Sequence, residues 1–182
     1  MHRSHVLRLA VVGAALFLGS CETLKSLDFH SQPVAVLPPC PRAVAAADAG
    51  RLTRFAGNGS DPSQVQFEAE IGDITGDCGY SDTAIDVDMK VQLIATRGPA
   101  DTTGKAGFNY FVAIARTDKT ILARQSFDAS IDFSGNQTRN GIVDEIEQTI
   151  PIQAGQPGTD FVILVGFEMT PEELDYSRKQ GR

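Results

Sequence analysis

Residues 83–96 alternate between apolar and polar side chains, and this alternation constrains the fold more than any other feature of the sequence. Successive side chains of a β-strand point to opposite faces, so a period of two indicates a strand with one face on a core and the other in water. The apolar face is expected to carry Ile85, Val87, Met89, Val91 and Leu93, and the polar face Asp86, Asp88, Lys90 and Gln92. A half-buried strand of this kind is typical of an antiparallel sheet.

Further strands are predicted at regular spacing on both sides of this segment, with turn-forming residues between them. They cover residues 42–47, 51–56, 64–71, 108–116, 121–133, 143–152 and 160–169. In the strand over residues 121–133 the polar face is expected to be Arg124, Ser126, Asp128, Ser130 and Asp132. About seven strands in this arrangement indicate an all-β fold, an antiparallel β-sandwich of immunoglobulin or fibronectin-III type, with a small β-barrel as the alternative.

Three further segments complete the prediction. The Ala-rich run from Ala43, within the first predicted strand, is also compatible with one or two helical turns. Residues 72–81 are rich in Gly and Asp and are predicted to form a turn-rich loop. Near the end of the chain, Thr170-Pro171-Glu172-Glu173 has the pattern of a capping box, which predicts a short C-terminal helix through about Ser177.

The N-terminus has the three zones of an export segment. Arg3 and Arg8 form a basic region, residues 9–17 are apolar and uncharged, and Leu18-Gly19-Ser20-Cys21 follows. The apolar stretch is far shorter than the roughly 20 residues that span a bilayer. The tetrapeptide resembles the lipobox of bacterial lipoproteins, and this resemblance implies cleavage before Cys21 and acylation of its sulfur. An ordinary signal peptide is the alternative.

This resemblance divides the chain into a lipoprotein signal peptide (residues 1–20), a lipid-anchored tether (21–39) and a β-sandwich domain (40–182). The resemblance implies a place in the cell envelope, anchored to a membrane through the N-terminal lipid and facing the periplasm. Glu22 follows the lipidated position, and most residues other than Asp favour the outer membrane there. Residues 40–177 resemble the small uncharacterised envelope lipoproteins of proteobacteria, a resemblance that implies location and architecture but no activity.

The charge and the histidines limit the classes of function. Without Arg3 and Arg8, 14 basic residues stand against 23 acidic ones, a net charge of −9 with no basic footprint for nucleic acid. After residue 20 the only histidine is His30, in the tether. A Ser-His-Asp triad, a Cys-His dyad and a multi-histidine zinc site each need a histidine inside the folded domain. We therefore predict no catalytic residues, no metal site and no cofactor.

Cys40 and Cys78 remain as a pair once Cys21 is lipidated. In an oxidising periplasm they are predicted to form a disulfide, with two buried free thiols as the alternative. The predicted bond joins the first strand to the loop before residue 83, and it does not link the two sheets. No other Cys or His lies at a spacing that favours a metal site.

Three other groups of residues have a possible chemical role. Asp86 and Asp88 share one strand face, and Asp73, Asp77 and Asp82 share a Gly-rich segment. A solvated strand face and turn formation explain them better than acid–base catalysis or calcium binding. Phe108, Tyr110 and Phe111 are expected to pack in the core.

From these features, the predicted function is a non-catalytic binding or scaffolding module of the cell envelope, with a protein partner. One alternative is a carrier of a small hydrophobic ligand. A carboxylate-based hydrolase of cell-wall glycans is the third.

Overall fold

Eight strands and one helix make up the described part of the chain, residues 38–57 and 60–181 of a computed structural model. The strands are β1 (Arg42–Ala45), β2 (Arg51–Phe55), β3 (Val65–Tyr80), β4 (Ala84–Arg97), β5 (Lys105–Arg116), β6 (Ile121–Asp132), β7 (Arg139–Pro151) and β8 (Phe161–Phe167). The helix, α1, spans Pro171–Gln180, and 3-10 turns lie at Pro62–Gln64 and Gly158–Asp160. The signal peptide, Cys21, His30 and the tether up to residue 37 lie outside the described residues.

The strands form two four-stranded sheets, in the orders β1-β8-β5-β6 and β2-β3-β4-β7. Every pair is antiparallel except β1 with β8. The chain changes sheet after β1, β4, β6 and β7, so that β7 returns to pair with β4 and β8 returns to pair with β5. The all-β sandwich predicted from the sequence is confirmed, with eight strands. Residues 42–45 form a strand because their backbone pairs with β8, so the helical alternative for this segment is wrong.

The core lies between the sheets and follows the predicted alternation. The five apolar residues from Ile85 to Leu93 are all buried, whereas Asp86, Asp88 and Lys90 are exposed. Three aromatic rings cross the centre of the core: the ring centroids of Phe67 and Phe108 lie 6.2 Å apart, and those of Phe108 and Phe167 lie 5.1 Å apart. Burial of one face of each sheet therefore supplies the hydrophobic stabilisation of the fold.

The loop predicted over residues 72–81 is wrong, since β3 continues to Tyr80. After a register shift between Ile71 and Ile74, this half of β3 pairs with β4 as far as Tyr80 opposite Ile85. At Gly76 an added Cβ would lie 2.3 Å from the carbonyl oxygen of Asp88. The glycine marks a close approach of two backbones, and pairing with the long strand β4 outweighs the weak strand propensity of the segment.

Cys40 and Cys78 form the predicted disulfide, with their Cα atoms 5.8 Å apart. The prediction that it does not link the sheets is wrong, because Cys78 lies within β3 of one sheet and Cys40 directly precedes β1 of the other. Tyr80 reinforces the same junction: its hydroxyl donates to the carbonyl of Pro39 (2.7 Å) and accepts from the N–H of Gly158 (2.8 Å).

The predicted capping box is confirmed, with Thr170 and Glu173 each accepting a hydrogen bond from the other's backbone N–H. The helix continues past Ser177 to Gln180. It packs on β2, where the rings of Phe55 and Tyr176 meet edge to face at 5.0 Å. Among the described residues, no helix is long and apolar enough to cross a membrane.

Candidate docking edge

Each sheet ends in two edge strands, and two of the four edges are short or covered. β1 has only four residues. β2 has five and lies under α1, where Phe55 contacts Tyr176 and the Arg54 guanidinium lies 2.9 Å from the carboxylate of Glu173. Short length and cover by a helix are two ways in which proteins protect a sheet edge from pairing with another chain.

The edge of β7 is protected in part by its own side chains. The N–H of Gly141 donates to the side-chain oxygen of Asn140 (2.9 Å), and the carbonyl of Glu147 accepts from the side-chain amide of Gln148 (2.7 Å). Asp144 points between the sheets, since it pairs with the buried Val91 on β4. Occupied backbone groups and an inward-pointing charge both oppose the addition of another strand.

The edge of β6 has no such protection along most of its length. β6 is 12 residues long, contains no proline, and is exposed on both faces over residues 121–126. It includes two of the exposed large apolar side chains, Ile121 at 52% and Leu122 at 42% of their full surface. At the C-terminal end of β6 the edge is not free to pair, because the side-chain amide of Asn140 donates to the carbonyl of Asp132 (2.8 Å).

Two hydrogen bonds define which backbone groups of β6 face outward. The N–H of Phe133 donates to the carbonyl of Gly104 on the β5 side, and the carbonyl of Asp132 faces the other way, toward Asn140. In an antiparallel ladder the two backbone groups of a residue point to one side, and the side alternates along the strand. The outward-facing groups therefore belong to Arg124, Ser126, Asp128 and Ser130. They make no hydrogen bond to any other part of the described chain.

β6 and β7 are edge strands of opposite sheets. Between them, the hydroxyl of the buried Tyr110 donates to Asp144 (2.6 Å), and the half-buried Phe127 stacks on the Tyr110 ring at 5.2 Å. Burial, the hydrogen bond to Asp144 and the charge of that carboxylate together raise the pKa of Tyr110 above its ordinary value near 10. Tyr110 is therefore a donor at every physiological pH, and it holds the Asp144 carboxylate between the two strands.

The outer face of β6 carries ordered charges. The Arg124 guanidinium lies 4.1 Å from the ring centroid of Phe111 and donates to Glu168 at 3.2 Å. Ser126 donates to the same carboxylate (2.5 Å), and Asp128 accepts from the side-chain amide of Asn109. These contacts orient the side chains while the backbone beside them remains open. The predicted polar face of this strand is confirmed.

Two surface concavities on the described part of the sandwich have other linings. One, of about 690 Å³, runs between α1 and the outer face of β2 and β3, where the carboxylate of Glu70 contacts both Arg51 and Arg139. The other, of about 910 Å³, opens at the end of the sandwich beside Leu122 and has Ile150 and Phe161 in its lining. In the first concavity, the charge of Glu70 is paired with those of Arg51 and Arg139. The second concavity is continuous with the start of β6.

The remaining predicted residues lie apart from the β6 edge. Cys21 is outside the described residues, and Cys40 with Cys78 forms the disulfide. Asp86 and Asp88 are exposed on the outer face of β4, as predicted, and Asp86 accepts a hydrogen bond from Thr149 (2.8 Å). Within residues 38–57 and 60–181, no group of three or more His, Cys, Asp or Glu side chains is placed to hold a metal ion.

The aromatic cluster predicted for the core divides between the two faces of β5. Phe108 and Tyr110 are buried between the sheets, whereas Phe111 lies half-buried on the outer face under Arg124. The sequence predicted β6 as a strand but not as an open edge. The only signal for it was the pair of apolar residues, Ile121 and Leu122, at the start of a segment whose other face is polar.

Comparisons with known proteins do not assign the chain to a family. No family model matches the chain, and no curated protein matches it. One solved structure that it resembles is the variable (V) domain of the Streptococcus agalactiae AgI/II polypeptide BspA. The identity is 7% over 70% of this chain and 78% of that chain, with a TM-score of 0.18. Similarity at this level carries no argument about fold or function.

Proposed function

We propose that this protein is a lipid-anchored, non-catalytic binding module of the bacterial cell envelope, which holds a protein partner by adding a strand to β6. One observation carries the proposal. Of the four edge strands, β6 combines length with an unoccupied run of outward-facing backbone groups, whereas β1 is short, β2 is covered and β7 has outward-facing groups already occupied at Gly141 and Glu147.

Strand addition fits the chemistry of this edge. An added strand would receive its affinity from main-chain hydrogen bonds to Arg124, Ser126, Asp128 and Ser130. Its alternate side chains would lie on the inner face of β6, beside the half-buried Phe127. A partner with small or apolar residues at every second position is favoured there, because successive side chains of a strand face opposite ways.

Ser126→Pro tests the binding edge. Proline removes the outward N–H without removing a bond to β5, so the domain should stay folded, as edge strands tolerate proline at such positions. With a photo-crosslinking amino acid at Ser130 in intact cells, we expect a discrete protein adduct, and we expect Ser126→Pro to reduce its yield at least about tenfold.

Glu147→Pro is the matched control, because Glu147 occupies an outward-facing position on the protected edge of β7. It should leave the Ser130 adduct unchanged. If Ser126→Pro and Glu147→Pro reduce the adduct equally, or if no adduct forms at Ser130, the proposed docking edge is wrong.

Anchorage is tested separately at Cys21. Acyl chains contribute about 0.8 kcal/mol per buried CH₂, so a lipidated chain should stay in the membrane fraction through salt and alkaline washes. Cys21→Ala should abolish incorporation of labelled palmitate. Labelling that persists in this variant would contradict the lipobox interpretation.

The proposed place is the outer membrane, facing the periplasm. It is supported by the export segment and by Glu22. The alternatives have weaker support: the groove beside Leu122 favours a hydrophobic-ligand carrier, but it is open to solvent. The hydrolase needs two carboxylates in a cleft, and the exposed Asp86 and Asp88 lie on an outer sheet face.

A further inference from the structure

The occupant of the β6 edge can be inferred from the edge itself. We propose that the strand added to β6 is β6 of a second copy of this chain, paired antiparallel about a two-fold axis at Ser126. This inference rests on the function proposed above and names its partner. A two-fold interface requires a surface that complements itself, and β6 meets that requirement in its backbone and its charges.

The backbone of β6 is self-complementary. The outward-facing groups all belong to even-numbered residues from Arg124 to Ser130. An antiparallel pair centred on Ser126 places Ser126 opposite itself and Arg124 opposite Asp128 of the second copy. Each such pair joins two residues whose N–H and C=O both face the partner, so each can exchange two hydrogen bonds.

The charges select this register among the nearby ones. Centred on Ser126, Arg124 of each copy lies directly opposite Asp128 of the other, and opposite charges across strands are stabilising. A centre at Asp128 would place two aspartates face to face, which is destabilising. Centres at Gln125 or Phe127 would pair Arg124 with a serine and leave both charges without a partner across the interface.

Both charged groups have capacity for the new contact. A guanidinium has five N–H donors, and Arg124 makes one hydrogen bond within the described chain, to Glu168. Asp128 receives Asn109 on one carboxylate oxygen, so its other oxygen is open to a donor. The existing contacts with Phe111 and Asn109 hold the two side chains in place before a second copy arrives.

The closed end of β6 selects the same register. With the centre at Ser126 the paired residues, Arg124 to Asp128, lie clear of Asp132, whose carbonyl is already bound by Asn140. A centre nearer Asp132 would need that occupied group. On the inner face, Phe127 would lie opposite Gln125 of the second copy, so its half-exposed ring gains cover.

Anchorage in one membrane would favour this pairing. Each copy carries a net charge of −9 after residue 20, which opposes association in solution. Two chains anchored in the same bilayer meet at a raised effective concentration, so a modest interface suffices. The predicted assembly is a pair of sandwiches joined through one continuous sheet.

A single cysteine tests the register in the full chain in intact cells. In the proposed pairing the two Ser126 Cα atoms lie about 5.5 Å apart, within the span of a disulfide. Ser126→Cys should therefore yield a disulfide-linked dimer on a non-reducing gel, with the 126–126 peptide identified by mass spectrometry. Ser130→Cys is the control on the same face: its two copies would lie about 26 Å apart, so its dimer should be at least about tenfold weaker.

The outcomes separate this inference from the function on which it rests. Equal crosslinking of Ser126→Cys and Ser130→Cys would indicate random collision and overturn the pairing. A crosslink from position 126 to a different protein would overturn self-pairing but leave the docking edge intact. No crosslink from Ser126→Cys, together with no photo-adduct at Ser130, would overturn both proposals.

A charge swap tests the same interface without a crosslink. For the full chain in detergent micelles, light scattering should show that Arg124→Asp and Asp128→Arg each weaken the dimer at least about tenfold, because each places like charges opposite one another. The double variant restores the opposite charges and should recover dimerisation to within about threefold. Failure of the double variant to recover while it stays folded would contradict the Arg124–Asp128 contact.

Discussion

Replacing both Cys40 and Cys78 by alanine is expected to lower the free energy of unfolding by about 4 kcal/mol. The two cysteines are separated by 38 positions, and the crosslink removes the entropy of that closed loop from the unfolded chain. It also joins the segment before β1 to β3, so the parallel β1–β8 pairing should be the first to lose protection. Urea unfolding followed by circular dichroism measures the loss, since the chain has no Trp.

Two controls separate the disulfide from other ties at this junction. Reduction of the unmodified protein should reproduce the loss seen in the double alanine variant. Tyr80→Phe removes only the hydroxyl that bonds to Pro39 and Gly158, and should cost about 1–2 kcal/mol. A disulfide variant as stable as the parent would contradict the chain-entropy argument.

Phe167→Ala is expected to cost about 3–5 kcal/mol, because it removes a fully buried ring and leaves a cavity. Phe167 is 1% exposed and meets Phe108 edge to face at 5.1 Å in the centre of the sandwich. The ring lies in the core between the two sheets, so the site has little freedom to collapse. The midpoint of urea unfolding should fall with little change in the slope.

Val143→Ala is the surface control for this variant. Val143 is 58% exposed on β7, and its truncation should change stability by less than about 0.5 kcal/mol. Phe167→Leu should fall between the two, since it keeps part of the buried volume. An equal loss of unfolding free energy in Phe167→Ala and Val143→Ala would contradict the burial of Phe167 in the core.

Local sequence patterns were sufficient for most of the fold. The alternation from Ile85 to Leu93 predicted the inner face of β4, and the Thr170–Glu173 pattern predicted the helix start. Both depend on neighbours in the chain, through the strand period and the capping geometry. The loop predicted over residues 72–81 was wrong because glycine is compatible with two structures. It permits a turn, and it also permits the close contact of two paired backbones seen at Gly76.

The candidate site lay beyond such patterns. Apart from the apolar pair Ile121 and Leu122, residues 121–133 carry no pattern that distinguishes an edge strand from a central one, because edge status depends on which strands lie beside it. The polar face of β6, with Arg124 and Asp128, was predicted from the alternation. The open backbone between them depends on β7 belonging to the other sheet.

Sequence patterns alone predicted the all-β class, the two faces of the main strands, the helix cap and the cysteine pair, and they also predict lipidation at Cys21. These follow from properties of contiguous residues or from elimination among few cysteines. The sheet order, the link between sheets through Cys40 and Cys78, and the exposure of the β6 edge became visible in the folded chain alone. Those depend on hydrogen bonds between strands distant in the chain, which no local periodicity encodes.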